Sequence, residues 1–167
     1  ILEELDLRDR VSAVWGTSAG AVIGGGWASG TPAAGILDHV RSLKRRGSID
    51  ISWSRLGLSL VLLPFGRSLP HAIIRGRAFL RTIDAGLQVK TFEECKIPFR
   101  CIACTDDGNV QRKIFRQGPL LPAIAASLSV PGLMALGRMD GDPCGYYDGG
   151  IVEKTPLISP IAEHARE

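Results

Sequence analysis

The chain has 167 residues, of which 45% are hydrophobic and 22% charged, and a formal net charge of +3. That length suits one domain with room for a sizeable core, and the balance is that of an ordinary globular protein, neither disordered nor fibrous. No internal repeat or low-complexity tract is visible, and no recognised nucleic-acid-binding fold or aromatic stacking pattern accompanies the basic residues, so no nucleic-acid partner is expected.

The chain opens with Ile1, Leu2, Leu5 and Leu7 as apolar positions, which read as the end of a helix. A first residue other than Met leaves a lost leader open. Val11–Trp15 is expected as a strand. It ends abruptly in Gly16-Thr17-Ser18-Ala19-Gly20, and a small-residue helix follows from Ala19 to about Ser29, closed by Gly30. Strand, sharp turn and helix with a serine at the turn is the pattern of a nucleophile held on a strained backbone, whose neighbours must be small. Gly16 and Gly20 supply the small positions, and Ala19 keeps the approach to Ser18 open. The backbone N–H of Ala19, at the helix N-terminus, faces the place where negative charge would develop. Gly16, Gly20 and Gly24 recur every four residues and are expected to pack one helix face closely on the sheet. A serine that merely fills a tight turn gives the same five letters, but the flanking elements favour the nucleophile. A phosphate-binding loop would need a lysine that is absent.

Thr31 is placed as N-cap and Pro32 as first residue of a second helix, with Ile36, Leu37, Val40 and Leu43 on one face. Between Arg41 and Arg81 stand nine basic residues against Asp50 as the single acid. Such a block is either a solvated helical region or a surface that attracts anionic headgroups. Within it, Leu56–Phe65 is uncharged and too short to span a bilayer. It is either core or an apolar flap that dips into a lipid interface.

Ala78–Leu87 is amphipathic, and Thr91 and Glu94 are spaced as a capping box. Pro98–Thr105 and Val110–Phe115 flank the turn Asp106-Asp107-Gly108-Asn109 and are expected to form a hairpin, which makes the two aspartates turn residues. Cys101 and Cys104 have the C-x-x-C spacing, but on a strand they point to opposite faces. With Cys95 and Cys144 they are expected to be reduced core cysteines. No metal-ligand cluster is evident and no cofactor is expected. Pro122–Leu128 reads as a small helix stopped by Val130-Pro131-Gly132. In Gly145-Tyr146-Tyr147-Asp148-Gly149-Gly150, Asp148 stands at a strand end before two glycines. It either projects toward a site or opens an Asp-Gly hairpin turn. A final helix follows Pro156.

A serine needs a proton acceptor within reach. His39, His71 and His164 all lie in helical contexts that do not aim them at a strand end. That leaves a carboxylate acting alone, and Asp148 is the candidate. An aspartate of ordinary pKa, about 3.9, is a poor base, which burial would improve. The expectation is a Ser18–Asp148 dyad.

At these residues the chain resembles the patatin-like phospholipases. Gly16-Thr17-Ser18-Ala19-Gly20-Ala21 is similar to that family's nucleophile element, Ala126-Ser127-Leu128-Ser129-Val130-Pro131-Gly132 to its A-S-x-x-x-P-G segment, and Asp148-Gly149-Gly150 to its D-G-G motif. Val152-Glu153-Lys154-Thr155-Pro156 keeps a proline after D-G-G but differs in between. The resemblance covers nearly all 167 residues. It implies an α/β fold, a three-layer α/β/α sandwich with a central, mostly parallel sheet. It also implies a lipid acyl hydrolase with Ser18 as nucleophile and Asp148 as base, acting on phospholipid or other lipid esters. The expected location is cytoplasmic or peripheral to a membrane, with 41–81 touching the anionic surface. The family's glycine-rich oxyanion loop follows its first strand, and residues 1–167 begin after that point. A single patatin-like domain without this loop is expected to be severely impaired, since losing one oxyanion donor costs about 10²–10³ in turnover. The competing expectation is a catalytically silent lipid-binding or membrane-docking module.

Overall fold

The structure is a computed structural model, which describes residues 2–45, 76–105, 108–131, 133, 134 and 137–165. The sheet is built around β2 (Phe99–Thr105). Phe99, Cys101 and Ala103 are buried on one face of β2, and Ile102 and Cys104 on the other. A strand covered on both faces reads as a continuous apolar run, and this one does.

β1 (Val14–Thr17) runs parallel to β2, with Val14 opposite Phe99 and Thr17 opposite Ile102. β3 (Arg112–Phe115) returns antiparallel, with Cys101 opposite Phe115 and Cys104 opposite Arg112. β5 (Gly145–Asp148) is also antiparallel to β2, with Asp148 opposite Ala103, and β4 (Gly137–Arg138) pairs with β5. Because β3 flanks residues 101–104 on one side, β1 and β5 must share the other. Their C-terminal ends therefore meet head to head, between Ile102 and Ala103. This junction positions the site.

The described residues form five helices, α1 (Ala19–Ser29), α2 (Ala33–Arg45), α3 (Arg77–Gly86), α4 (Leu120–Ser127) and α5 (Ile158–His164), of which α1 and α4 pack directly on the sheet. On the face of Phe99 and Cys101 lie α1 and α4, with α2 against α1 and α3. Phe92 stacks on Phe99, and Phe115 meets Tyr146 edge to face. α5 is tied to the other face by ion pairs of Glu163 with Arg100 (3.2 Å) and Arg116 (3.0 Å). The α/β class and the helices on two faces agree with expectation. Parallel pairing holds at the β1–β2 core, while the outer ladders are antiparallel. For β3 the reason is its short connection to β2, since hairpins join only antiparallel strands.

Several expectations change. Residues before β1 form turns and a 3-10 turn at Arg8–Arg10, not the end of an α-helix. Polar contacts hold that segment: Glu3 accepts from Trp27 Nε1 at 2.7 Å and from the Ala33 N–H at 2.9 Å. β1 spans Val14–Thr17, later than the expected Val11–Trp15, because its ladder begins opposite Phe99. Thr31 does not cap α2: its hydroxyl donates to Gly86 O at 2.7 Å, and Glu3 takes the helix's N-terminal N–H instead. α1 runs as expected and closes at Gly30, whose φ of 115° suits glycine. Cys101 and Cys104 lie on opposite faces, and the four thiols form no disulfide. The run 56–65, His71, Asp106, Asp107 and most of the basic block lie outside the described residues. Among the described residues no helix is long and apolar enough to cross a membrane.

Candidate active site

Ser18 stands where β1 ends and α1 begins, at φ 54° and ψ −125°. A non-glycine residue in a sparsely populated backbone region costs about 1–3 kcal/mol and persists only where its surroundings enforce it. Three features enforce it here. Gly16 lets α1 fold back over the strand end: a Cβ there would lie 2.6 Å from Ala21 Cα and 2.7 Å from Gly20 O. The N–H of Ala21 donates to Ser18 O at 2.9 Å, which starts the helix. The N–H of Ser18 itself donates to Ser127 Oγ at 2.8 Å.

Gly20 does not fit the expectation drawn for it. A Cβ at this position would meet nothing within 4 Å, so no described neighbour demands a small residue. The close approach of α1 to the sheet is made one turn later. A Cβ on Gly24 would come 3.0 Å from Val14 Cγ1, and one on Gly25 would come 2.9 Å from Ile124 Cδ1. The packing face is therefore Gly24 with Gly25, and not the 16-20-24 series, because Gly16 belongs to the strand.

Asp148 ends β5 and is 7% exposed. Its Oδ2 accepts the hydroxyl of Ser18 at 2.5 Å, with no imidazole between them. Its Oδ1 accepts from the Gly150 N–H at 2.7 Å, and its own N–H donates to Ser129 O at 2.9 Å. Backbone, one oxygen and the other oxygen are thus each fixed by a different partner. The two glycines have separate tasks. Gly149 sits so close to β2 that a Cβ would lie 2.2 Å from Ile102 O, and Gly150 offers its N–H to the carboxylate. Asp148-Gly149-Gly150 opens a 3-10 turn over Gly149–Ile151, so the Asp-Gly hairpin is not the geometry adopted.

Ala19 is exposed and begins α1, and the first N–H groups of a helix have no partner within it. The positive end of the α1 dipole lies at this turn, next in sequence to Ser18. Cys101 lies beneath the site. Burial pushes its thiol up to about 12, with the neighbouring Ser127 hydroxyl opposing the shift and the Asp148 charge adding to it, and its Sγ donates to Ala123 O at 3.4 Å. It stays neutral and does not compete as a nucleophile. His39 is engaged elsewhere, its Nδ1 lying 2.8 Å from Gly35 O, while His164 is carried by α5 on the far face. Val22, one turn along α1, borders an apolar hollow of about 30 Å³ with Ile36, Val40, Ile83 and Leu87.

In the sequence Ser127 and Ser129 stand out only as parts of the A-S-x-x-x-P-G segment, without a role of their own. A signal was available: two serines at the end of an apolar helix need internal partners once buried. The pair of surface Arg112 with buried Glu153, at 2.9 Å, gave no local signal, since its members are far apart in the chain.

The fold and site thus combine an α/β frame with a serine on a strand-to-helix elbow bonded directly to a buried carboxylate. The match to known proteins is narrower. Residues 1–161 fit the family model described as patatin-like phospholipase, and the chain belongs to that family, whose members are typically lipid acyl hydrolases. It is 31% identical to an uncharacterized NTE family protein of Mycobacterium bovis, over 93% of this chain and 39% of that protein. Uncharacterized NTE family proteins from two strains of Mycobacterium tuberculosis match to the same extent. The chain spans 39% of the length of the curated relatives it matches.

Proposed function

We propose that this chain carries a serine lipid acyl hydrolase site in which Ser18 is the nucleophile and Asp148 the base. The observation that supports it most is the 2.5 Å contact between Ser18 Oγ and Asp148 Oδ2, in the range of charge-assisted O–H···O⁻ bonds. As Oγ attacks an ester carbonyl, its proton passes to Oδ2. The oxyanion that forms is met by the Ala19 N–H and the α1 N-terminus. Collapse of the intermediate breaks the ester bond, the leaving alkoxide takes the proton from Asp148, and an acyl-Ser18 remains. Asp148 then deprotonates a water that attacks the acyl carbonyl, and the fatty acid leaves as Ser18 regains its proton.

The substrate class is a glycerophospholipid or related lipid ester, argued from family membership and the Ser–Asp pair together. Docking on an anionic membrane through 41–81 belongs to the same proposal and is argued from charge alone. The test uses the full-length protein. A fluorophosphonate should label Ser18, and Ser18→Ala should abolish both labelling and release of fatty acid from phospholipid vesicles. If wild type and Ser18→Ala hydrolyse equally, the reading is wrong. Vesicle co-sedimentation that survives Ser18→Ala, with no ester turnover in the parent, would establish the silent lipid-binding module instead.

A further inference from the structure

Where β1 and β5 meet, two backbone groups face the end of α4. One is the N–H of Ser18, which follows the last β1 pair, Thr17 with Ile102. The other is the carbonyl of Ile102, which faces the tight passage of Gly149. Both are satisfied by one side chain. Ser127 is wholly buried in the last turn of α4, accepts from the Ser18 N–H at 2.8 Å and donates to Ile102 O at 2.6 Å. A hydroxyl, able to donate and accept at once, is the smallest side chain that can bridge this pair.

We propose that Ser127 is the positioning residue of the elbow: it holds the Ser18 backbone in its positive-φ conformation and thereby aims Oγ at Asp148. This rests on the reading of Ser18 as nucleophile. Without the bridge, the strained residue is free to relax toward an ordinary backbone region, and its Oγ swings with it. A misplacement of reacting atoms by about 1 Å costs about 10² in rate. The same bridge commits the nucleophile's own N–H to α4. The oxyanion donor supplied by this turn is therefore the Ala19 N–H and not that of Ser18. Ser129 completes the arrangement from the same segment, since its carbonyl receives the N–H of Asp148 at 2.9 Å. The end of α4 thus grips both halves of the dyad, one through a side chain and one through the backbone.

The experiment compares Ser127→Ala, Ser127→Thr and Ser29→Ala in the full-length protein. Ser29 is the matched control: it is wholly buried, its hydroxyl donates to Gly26 O at 2.7 Å, and it accepts from the Gln88 N–H at the far end of α1. Four readouts are taken: kcat and KM on a p-nitrophenyl acyl ester, fluorophosphonate labelling rate, hydrogen exchange at the Ser18 amide, and the urea midpoint. For Ser127→Ala, kcat and labelling should fall together by about 10²-fold with KM changed less than about twofold, and the Ser18 amide should lose its protection. Ser127→Thr, which keeps the hydroxyl, should recover at least about tenfold of that loss. Ser29→Ala should lower the urea midpoint while leaving kcat, labelling and the Ser18 amide as in wild type. Should Ser127→Ala not fold, Ser127→Cys should show a smaller loss of the same sign. The proposal is overturned if a folded Ser127 variant lacking the hydroxyl keeps kcat and labelling within about threefold of wild type, or if its Ser18 amide stays protected. If wild type is inert to both ester and fluorophosphonate, the hydrolase reading fails, and exchange at the Ser18 amide alone decides whether Ser127 anchors the elbow.

Discussion

At Ser18 the chain holds a backbone conformation that L-residues avoid, and the cost is offset by contacts from three separate elements. Removing the partner carboxylate tests the chemistry directly. Asp148→Asn keeps the acceptor for the Gly150 N–H but loses the proton acceptor for Ser18. Steady-state kinetics should show kcat lower by about 10²–10⁴-fold, the range for a lost general base, with the fold retained by circular dichroism. The glycines separate by contact. Gly149→Ala would drive a methyl into Ile102 O, so the variant should lose stability and fluorophosphonate labelling together. Gly20→Ala enters open space at the start of α1. It should raise the urea-derived stability by about 0.5–1 kcal/mol, the difference between alanine and glycine in a helix. A fall in stability there would mean that the position is enclosed by chain beyond the described residues.

At the scale of elements, the connection from β5 to α5 is tied by Glu153. Its backbone N–H donates to Gly149 O at 2.8 Å, its Oε1 accepts from the Ser159 N–H at 3.0 Å, and its Oε2 takes Arg112 at 2.9 Å and the Ser159 hydroxyl. Burial pushes the Glu153 carboxyl up, but the Ser159 hydroxyl and amide and the Arg112 guanidinium outweigh it and hold it below its ordinary 4.5. A carboxyl lowered in the folded state stabilises fully above its unfolded value, and that contribution is lost as pH falls through the folded one. The urea midpoint should therefore hold from neutral pH down to about 4.5 and decline below it, and Glu153→Gln should flatten that decline. Arg112→Ala leaves the carboxylate, 3% exposed, without its cation. Because Arg112 is itself partly exposed, the expected loss is about 2 kcal/mol in urea unfolding, less than for a fully buried pair.

Across the whole molecule the decisive feature is the shared edge of β2. Strands that run parallel and antiparallel to it arrive from opposite ends and stop at adjacent residues, so Ser18 and Asp148 touch although 130 residues separate them. Much of this was legible beforehand for a local reason. The elbow announces itself because a strained turn requires Gly16 and a small-residue helix in immediate sequence. Asp148-Gly149-Gly150 stands out because close passage over another strand excludes any side chain at its centre. The helix from Ala19 to Ser29 and its closure at Gly30 follow from short-range sterics. What misled was equally physical. Gly20 looked obligatory from spacing alone, and Thr31 looked like a cap, but Gly86 took its hydroxyl and Glu3 took the helix end. Both competitors come from other parts of the chain.

The order of residues was thus sufficient to single out Ser18 and Asp148 as candidates and to mark which turns must be tight, because those signals depend on neighbours within a few bonds. It was not sufficient to determine that Ser127 would join the Ser18 amide to the Ile102 carbonyl, or that Arg112 would meet Glu153. Those pairings depend on where a sheet edge changes partner, and only the packed chain decides that.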